Sequence, residues 1–182
     1  SLFHSVIFYF KKLKFQKLQI KVLMFLEKHY YQNQFLKKQK KRKKQLVNKI
    51  ILASLSPRRK DLLEERGIDF IVDASSIEET LDESLPLEER LKLLAASKAE
   101  PIHQKYPDDV VIGADTIVYY DNEIIGKAKD EEEAREILEK LSLHKHSVYT
   151  AVAIYFKEEL VTFIDKTDVY FKDITLMIDE YI

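Results

Sequence analysis

Residues 48–182 predict an α/β fold, and three observations carry that expectation. A short apolar run, Ile50-Ile51-Leu52, breaks into a polar loop that enters a helix. A nearly continuous apolar run from Val110 to Val118 reads as a strand buried on both faces. Elsewhere apolar residues recur at helical spacing, so strands and helices alternate along the chain.

The elements follow in order. Ser56 is a good N-cap and Pro57 falls at the first helical position, where its missing N–H costs nothing. That helix is expected over residues 57–66, with Gly67 placed to stop it. Residues 69–72 read as a short strand and 75–85 as an acidic loop. Pro86 opens a second helix to about residue 100, with leucines at 87, 91 and 94 and Ala95 at helical spacing. The strand at 110–120 turns through Asp121-Asn122-Glu123 into Ile124-Ile125. Asp130-x-x-Glu133 resembles a capping box for a third helix ending near Leu141. Residues 148–156 and 160–171 are strands joined by a Lys157-Glu158-Glu159 turn, and 175–182 starts a further helix.

Two places carry chemistry. Arg58 and Arg59 lie in a first helical turn, beside backbone N–H groups with no intrahelical partner. Free donors, a partial positive charge and two guanidinium forks together suit a polyphosphate, although a solvated helix start has the same sequence. The second place is Asp115, which interrupts the buried run. A carboxylate there is paired, bound to a metal or functional, or else closes a turn with Thr116 at a strand end.

Composition narrows the classes. The chain has no cysteine, which excludes a disulfide scaffold, a thiolate metal site and a cysteine nucleophile. Its three glycines leave no Walker-type or Rossmann-type phosphate loop. The formal net charge is −1, unevenly spread. Residues 1–49 hold 14 Lys/Arg against one acid, Glu27, whereas residues 50–182 hold 16 against 30.

Ala53-Ser54-x-Ser56-Pro57-Arg58-Arg59, then Gly113-Ala114-Asp115-Thr116, then Gly126-Lys127 resemble the motifs of the Maf family of nucleoside triphosphate pyrophosphatases. Glu79, Lys98-Ala99, Leu141-Ser142, His146 and Thr150-Ala151-Val152 fall in the same order. The resemblance runs from about Asn48 to the C-terminus. It implies a Maf/ITPase-like mixed sheet flanked by helices and hydrolysis between the α and β phosphates. It further implies a nucleoside triphosphate substrate, a cytoplasmic location and, as an open question, a homodimer. Arg58 and Thr116 resemble the group acting on dTTP and UTP; a sister group acting on 7-methyl-GTP tends to carry an aromatic residue and Ser-Asp-Gln there.

By the same resemblance Asp115 is the catalytic base, and Glu79 with Asp115 holds a divalent metal, Mg²⁺ or Mn²⁺. Ser54, Ser56, Arg58, Arg59, Lys98, Thr116 and Lys127 bind or select substrate. Blander roles stand beside these. Arg59 could lie over its helix, Lys98 and Lys127 could be solvated, and Glu79 sits in an acidic run where Glu78 could replace it. His146 has no partner at metal-ligand spacing, so a structural hydrogen bond is expected. Leu143 stands where the family has glycine, in a turn expected to want positive φ, and Ala128 stands where it has proline.

Residues 1–47 read as a basic N-terminal extension to a domain at 48–182. The extension's apolar stretches, 1–10 and 18–26, are both too short to span a bilayer. Translated upstream sequence, a basic arm for nucleic acid or an anionic surface, and a transit peptide are the readings open to it. The family has a further segment after the helix at 175–182, with a base-contacting glutamine, so a C-terminally incomplete domain is expected. Besides the enzyme, a nucleic-acid binder using the arm and a non-catalytic regulator of cell division are the alternatives.

Overall fold

The structure is a computed structural model that describes residues 48–74 and 82–182. The extension at 1–47 and most of the acidic loop, Glu79 included, lie outside the described residues. The elements are β1 (Ile50–Leu52), α1 (Pro57–Glu64), β2 (Ile71–Val72), α2 (Leu87–Lys105), β3 (Val110–Tyr120), β4 (Glu123–Ile125), α3 (Glu131–Leu141), β5 (Lys145–Phe156), β6 (Glu159–Tyr170), a 3₁₀ turn (Thr175–Met177) and α4 (Ile178–Tyr181). The strand order is β2-β1-β3-β5-β6, with β4 paired to β3. This is the mixed, helix-flanked sheet that was expected.

The chain divides into two compact units. The first contains the described residues up to Asp115 together with 151–165. Here β1 runs parallel to both β2 and β3, in register Leu52↔Val72 and Leu52↔Ile112. All three residues of β1 are buried, as a strand covered on both faces must be. One side of this sheet packs Ile50, Val110, Ile112, Val152 and Ile154 against Ile68, Leu63 and Phe70. The other side packs Ile51, Ala53 and Val111 against Ala99 and Ile102 of α2.

Helix α1 begins at Pro57 as expected, but the Ser56 side chain makes no capping bond; its carbonyl instead accepts from the Arg59 and Lys60 amides. The helix closes at Gly67, whose φ of +64° lets its N–H reach the Glu64 carbonyl while Ile68 N–H reaches Leu63. Helix α2 runs five residues beyond the expected end and passes through Pro101. A proline removes one helical hydrogen bond and disfavours helix in the residue before it. Burial of Ala99 and Ile102 on either side of Pro101 outweighs that cost.

The second unit holds residues 116–150 and 166–182. Asp121 and Asn122, with φ of +50° and +63°, form the two-residue turn that folds β4 back antiparallel on β3. The forward half of the capping box forms, Glu133 N–H donating to Asp130 Oδ1 at 2.8 Å, while Glu133 Oε2 reaches one residue past the N-cap and accepts from the Lys129 amide at 2.7 Å. Strand β5 begins three residues earlier than expected, because the polar start Lys145-His146-Ser147 is held in the sheet. Leu143 adopts φ of +60°, the left-handed conformation its turn was expected to demand.

Candidate active site

The order β2-β1-β3 places a topological switch point between β1 and β3. The chain leaves β1 toward one side, then crosses back through α2 to the other. Ligands of parallel α/β sheets bind beyond the carboxyl ends of the strands at such a point. The loop 53–56 leaves β1 there, and Asp115 stands three residues past the last β1–β3 register pair, Leu52↔Ile112.

The loop is organised around Ser54. This buried hydroxyl accepts from Arg59 Nη1 at 2.9 Å and from the Ser56 amide at 3.3 Å. Arg59 is therefore drawn back toward the loop rather than laid along α1. Arg58, one residue earlier, is exposed. Ser54, Ser56 and Arg59 thus form one hydrogen-bonded group at the mouth of α1.

Asp115 resolves among its expected alternatives as a paired carboxylate. Lys98 Nζ donates to its Oδ1, and the two side chains are 18% and 12% exposed, lysine first. The contact depends on how closely α2 lies on β3. A Cβ built at Gly113 would stand 2.5 Å from the Ala95 carbonyl oxygen and 2.8 Å from Ala99 Cβ. Only glycine permits that approach, and Lys98 lies between the two alanines in sequence. Gly113, Ala95 and Ala99 were not read as a group beforehand; an alanine pair at i, i+4 facing a strand glycine was the signal.

Among the described residues, Asp115 Oδ2 accepts no hydrogen bond. No group of three or more His, Cys, Asp or Glu residues forms a metal cluster among them either. Mg²⁺ and Mn²⁺ are hard cations, and Mg²⁺ completes its shell with substrate phosphates and water around one or two carboxylates. An open oxygen on Asp115 fits that requirement.

Just past β2, Asp73 accepts from Lys105 Nζ at 2.5 Å and Tyr106 Oη at 2.9 Å. These bonds, Lys105 first, hold its carboxyl below the usual range. In the second unit Thr116 is exposed, and its Oγ1 lies 3.2 Å from Oγ1 of the buried Thr150. Lys127 is exposed in the segment after β4. His146 is buried edge-on against Phe171, with ring centroids 4.6 Å apart. Its Nδ1 makes no hydrogen bond, and the ring's hydrogen bond is to the His144 backbone, the structural bond that was expected.

Comparison with known proteins bears on this geometry. Residues 49–182 match the family described as Maf-like protein. The chain belongs to the Maf family. Relatives named dTTP/UTP pyrophosphatase include one from Bacillus cereus, 46% identical over 129 residues, or 71% of this chain and 68% of the relative. One from Bacillus cytotoxicus is 45% identical with the same two coverages. Among solved structures, the Staphylococcus aureus Ham1 protein is similar with a TM-score of 0.44 and 17% identity, covering 68% of this chain and 71% of that one. No helix among the described residues is long and apolar enough to cross a membrane.

Proposed function

We propose that this chain is a nucleoside triphosphate pyrophosphatase that hydrolyses dTTP and UTP to the nucleoside monophosphate and pyrophosphate. The observation that carries the reading is Asp115, ion-paired to Lys98 and with one oxygen open, at the switch point beside the Ser54–Arg59 loop. The names of its Maf relatives support the same substrates.

The reaction needs anion binding and one proton acceptor. Arg58 and Arg59 supply guanidinium forks for phosphate oxygens, with the Ser54 and Ser56 hydroxyls beside them. A water oxygen attacks the α-phosphorus and a new P–O bond forms. The bond from that phosphorus to the α–β bridging oxygen breaks, and pyrophosphate leaves with that oxygen. Asp115 takes the proton from the water as general base and returns it to solvent. Lys98 holds the base in place and supplies positive charge beside the phosphates. Thr116 and Lys127 enter as substrate residues through the resemblance alone.

Asp115 and Glu79 would hold Mg²⁺ or Mn²⁺. When bound, such an ion supplies Lewis acidity and neutralises charge on phosphate oxygens. The reading also carries a cytoplasmic location, and light scattering would decide whether the chain is a homodimer.

The test is pyrophosphate release from dTTP, UTP, 7-methyl-GTP and ATP with Mg²⁺ or Mn²⁺, beside Asp115→Asn. Removing a general base lowers kcat by about 10²–10⁴. Release from dTTP and UTP that collapses in the variant is the expected result. No release by a chain shown to be folded would sink the reading.

A further inference from the structure

Thr150 is buried on β5, and the exposed Thr116 on β3 faces it with hydroxyl oxygens 3.2 Å apart. Among the described residues, neither hydroxyl has another hydrogen-bond partner. The two positions are unequal. A buried O–H must give its proton to a neighbour or leave it unsatisfied, whereas an exposed O–H can give its proton to solvent or a ligand. That inequality fixes the direction of the bond.

We propose that Thr150 is a positioning residue for substrate selection: its hydroxyl donates to Thr116 Oγ1 and so turns the Thr116 proton outward, making Thr116 a hydrogen-bond donor toward the base. This rests on the pyrophosphatase reading, in which Thr116 contacts substrate. A donor at that point selects a base with a carbonyl oxygen facing it. Uracil and thymine carry a carbonyl at ring position 4, and cytosine carries an amino group there. A fixed donor accepts the first two and meets another donor in the third. Without Thr150 the Thr116 hydroxyl is free to rotate, and it then accepts from an amino group as readily as it donates to a carbonyl.

The experiment compares kcat/KM for UTP and CTP in the natural chain, in Thr150→Val, which keeps the shape without the hydroxyl, and in Thr150→Ser, which restores it. The expected result is a UTP preference that falls about tenfold in the valine variant and returns to within about twofold in the serine variant. A preference unchanged in a folded valine variant overturns the proposal while leaving the pyrophosphatase reading intact. A second measurement needs no variant. In 4-thio-UTP the position-4 oxygen is replaced by sulfur, a poor acceptor, so the natural chain should lose about fivefold in kcat/KM against UTP; equal values overturn the proposal. Binding of the non-hydrolysable α,β-methylene analogues of UTP and CTP separates the two readings. A UTP-analogue preference without turnover of UTP would overturn the pyrophosphatase and keep the role of Thr150. Binding of neither analogue would overturn both.

Discussion

Asp115 and Asp168, one in each unit, are both ion-paired aspartates and differ in nearly every other respect. Asp115 ends the buried stretch of β3 and meets Lys98, with both side chains under a fifth exposed. Asp168 lies on β6 and meets Lys145 at 2.9 Å, Lys166 at 3.6 Å and Ser147 Oγ at 2.8 Å, with its side chain 36% exposed. The Lys145 hydrogen bond first, then that of Ser147, hold the Asp168 carboxyl down to about 2. Asp168 is saturated with partners in a place where water would serve as well. Among the described residues Asp115 has one side-chain partner, in a place where water is scarce, and one oxygen left to use. Both aspartates are ion-paired, so the proposed role of Asp115 rests on its burial and its open oxygen and not on the pairing.

The comparison breaks most easily at Gly113. If the close approach of α2 to β3 is what brings Lys98 to Asp115, Gly113→Ala must push backbone aside at a 2.5 Å contact. A loss of about 3 kcal/mol in urea unfolding is expected, at the upper end for overpacking. Gly126→Ala is the control, since a Cβ there meets nothing within 4 Å and its unfolding midpoint should hold. Equal effects at the two glycines would mean that α2 does not rest on β3 as described.

Lys98→Met comes next. Removing one partner of a fully buried pair costs roughly 3–5 kcal/mol, and the water still reaching this pair reduces the expectation to about 2 kcal/mol. Lys145→Met should leave the urea midpoint unchanged, because exposed pairs contribute little. If both lysines cost the same, the distinction between the two aspartates collapses.

The two units were also unequally legible in the sequence. In the first, the apolar runs of β1 and β3 announced strands buried on both faces; β1 is, whereas β3 is buried only over 110–114, and Asp115 stands where that burial ends. The Lys98–Asp115 pair was not readable from spacing, since 17 residues separate the partners and only the fit of Ala95 and Ala99 over Gly113 joins them. The Ser54–Arg59 bond was hidden for a similar reason: both residues were candidates, but their mutual bond depends on how the loop folds back. In the second unit the local signals worked. The Asp130 N-cap and the Asp121-Asn122 turn formed as their chemistry dictates, with the Glu133 carboxylate reaching the Lys129 amide instead of that of Asp130. The polar start of β5 was missed because sheet pairing overrode local propensity. Thr150 escaped notice as a partner for Thr116 because cross-strand neighbours leave no trace in a single sequence.

Leu143 offers a smaller test, confined to the second unit. A non-glycine residue at φ of +60° costs about 1–2 kcal/mol, and Leu143 is mostly exposed, so little packing offsets that strain. Glycine removes the strain but adds freedom to the unfolded chain. Leu143→Gly should therefore gain about 1 kcal/mol in urea unfolding. Pyrophosphate release should be unchanged, because Leu143 is none of the residues assigned to the base or to substrate and its exposed side chain supports none of them. A loss of stability would mean that Leu143 packs where the structure leaves it exposed.

The smallest expected effect is a pH dependence, and it too belongs to the second unit. Burial pushes the His146 imidazole below its ordinary value, outweighing a raising contribution from the His144 backbone. The unfolded chain therefore takes up this proton first as pH falls through about 6.5. Stability from the neutral, buried ring is fully present above that point and is lost progressively as pH drops toward the folded value. His146→Gln cannot titrate, so the variant should be less stable than the natural chain at pH 8, with the gap narrowing by pH 5.5. Urea midpoints for both proteins across that range test it, and the subtraction cancels the carboxylates they share. A gap that widened on acidification would mean that His146 is held as a cation, and the edge-on contact with Phe171 would then need a counter-charge the described residues do not supply there.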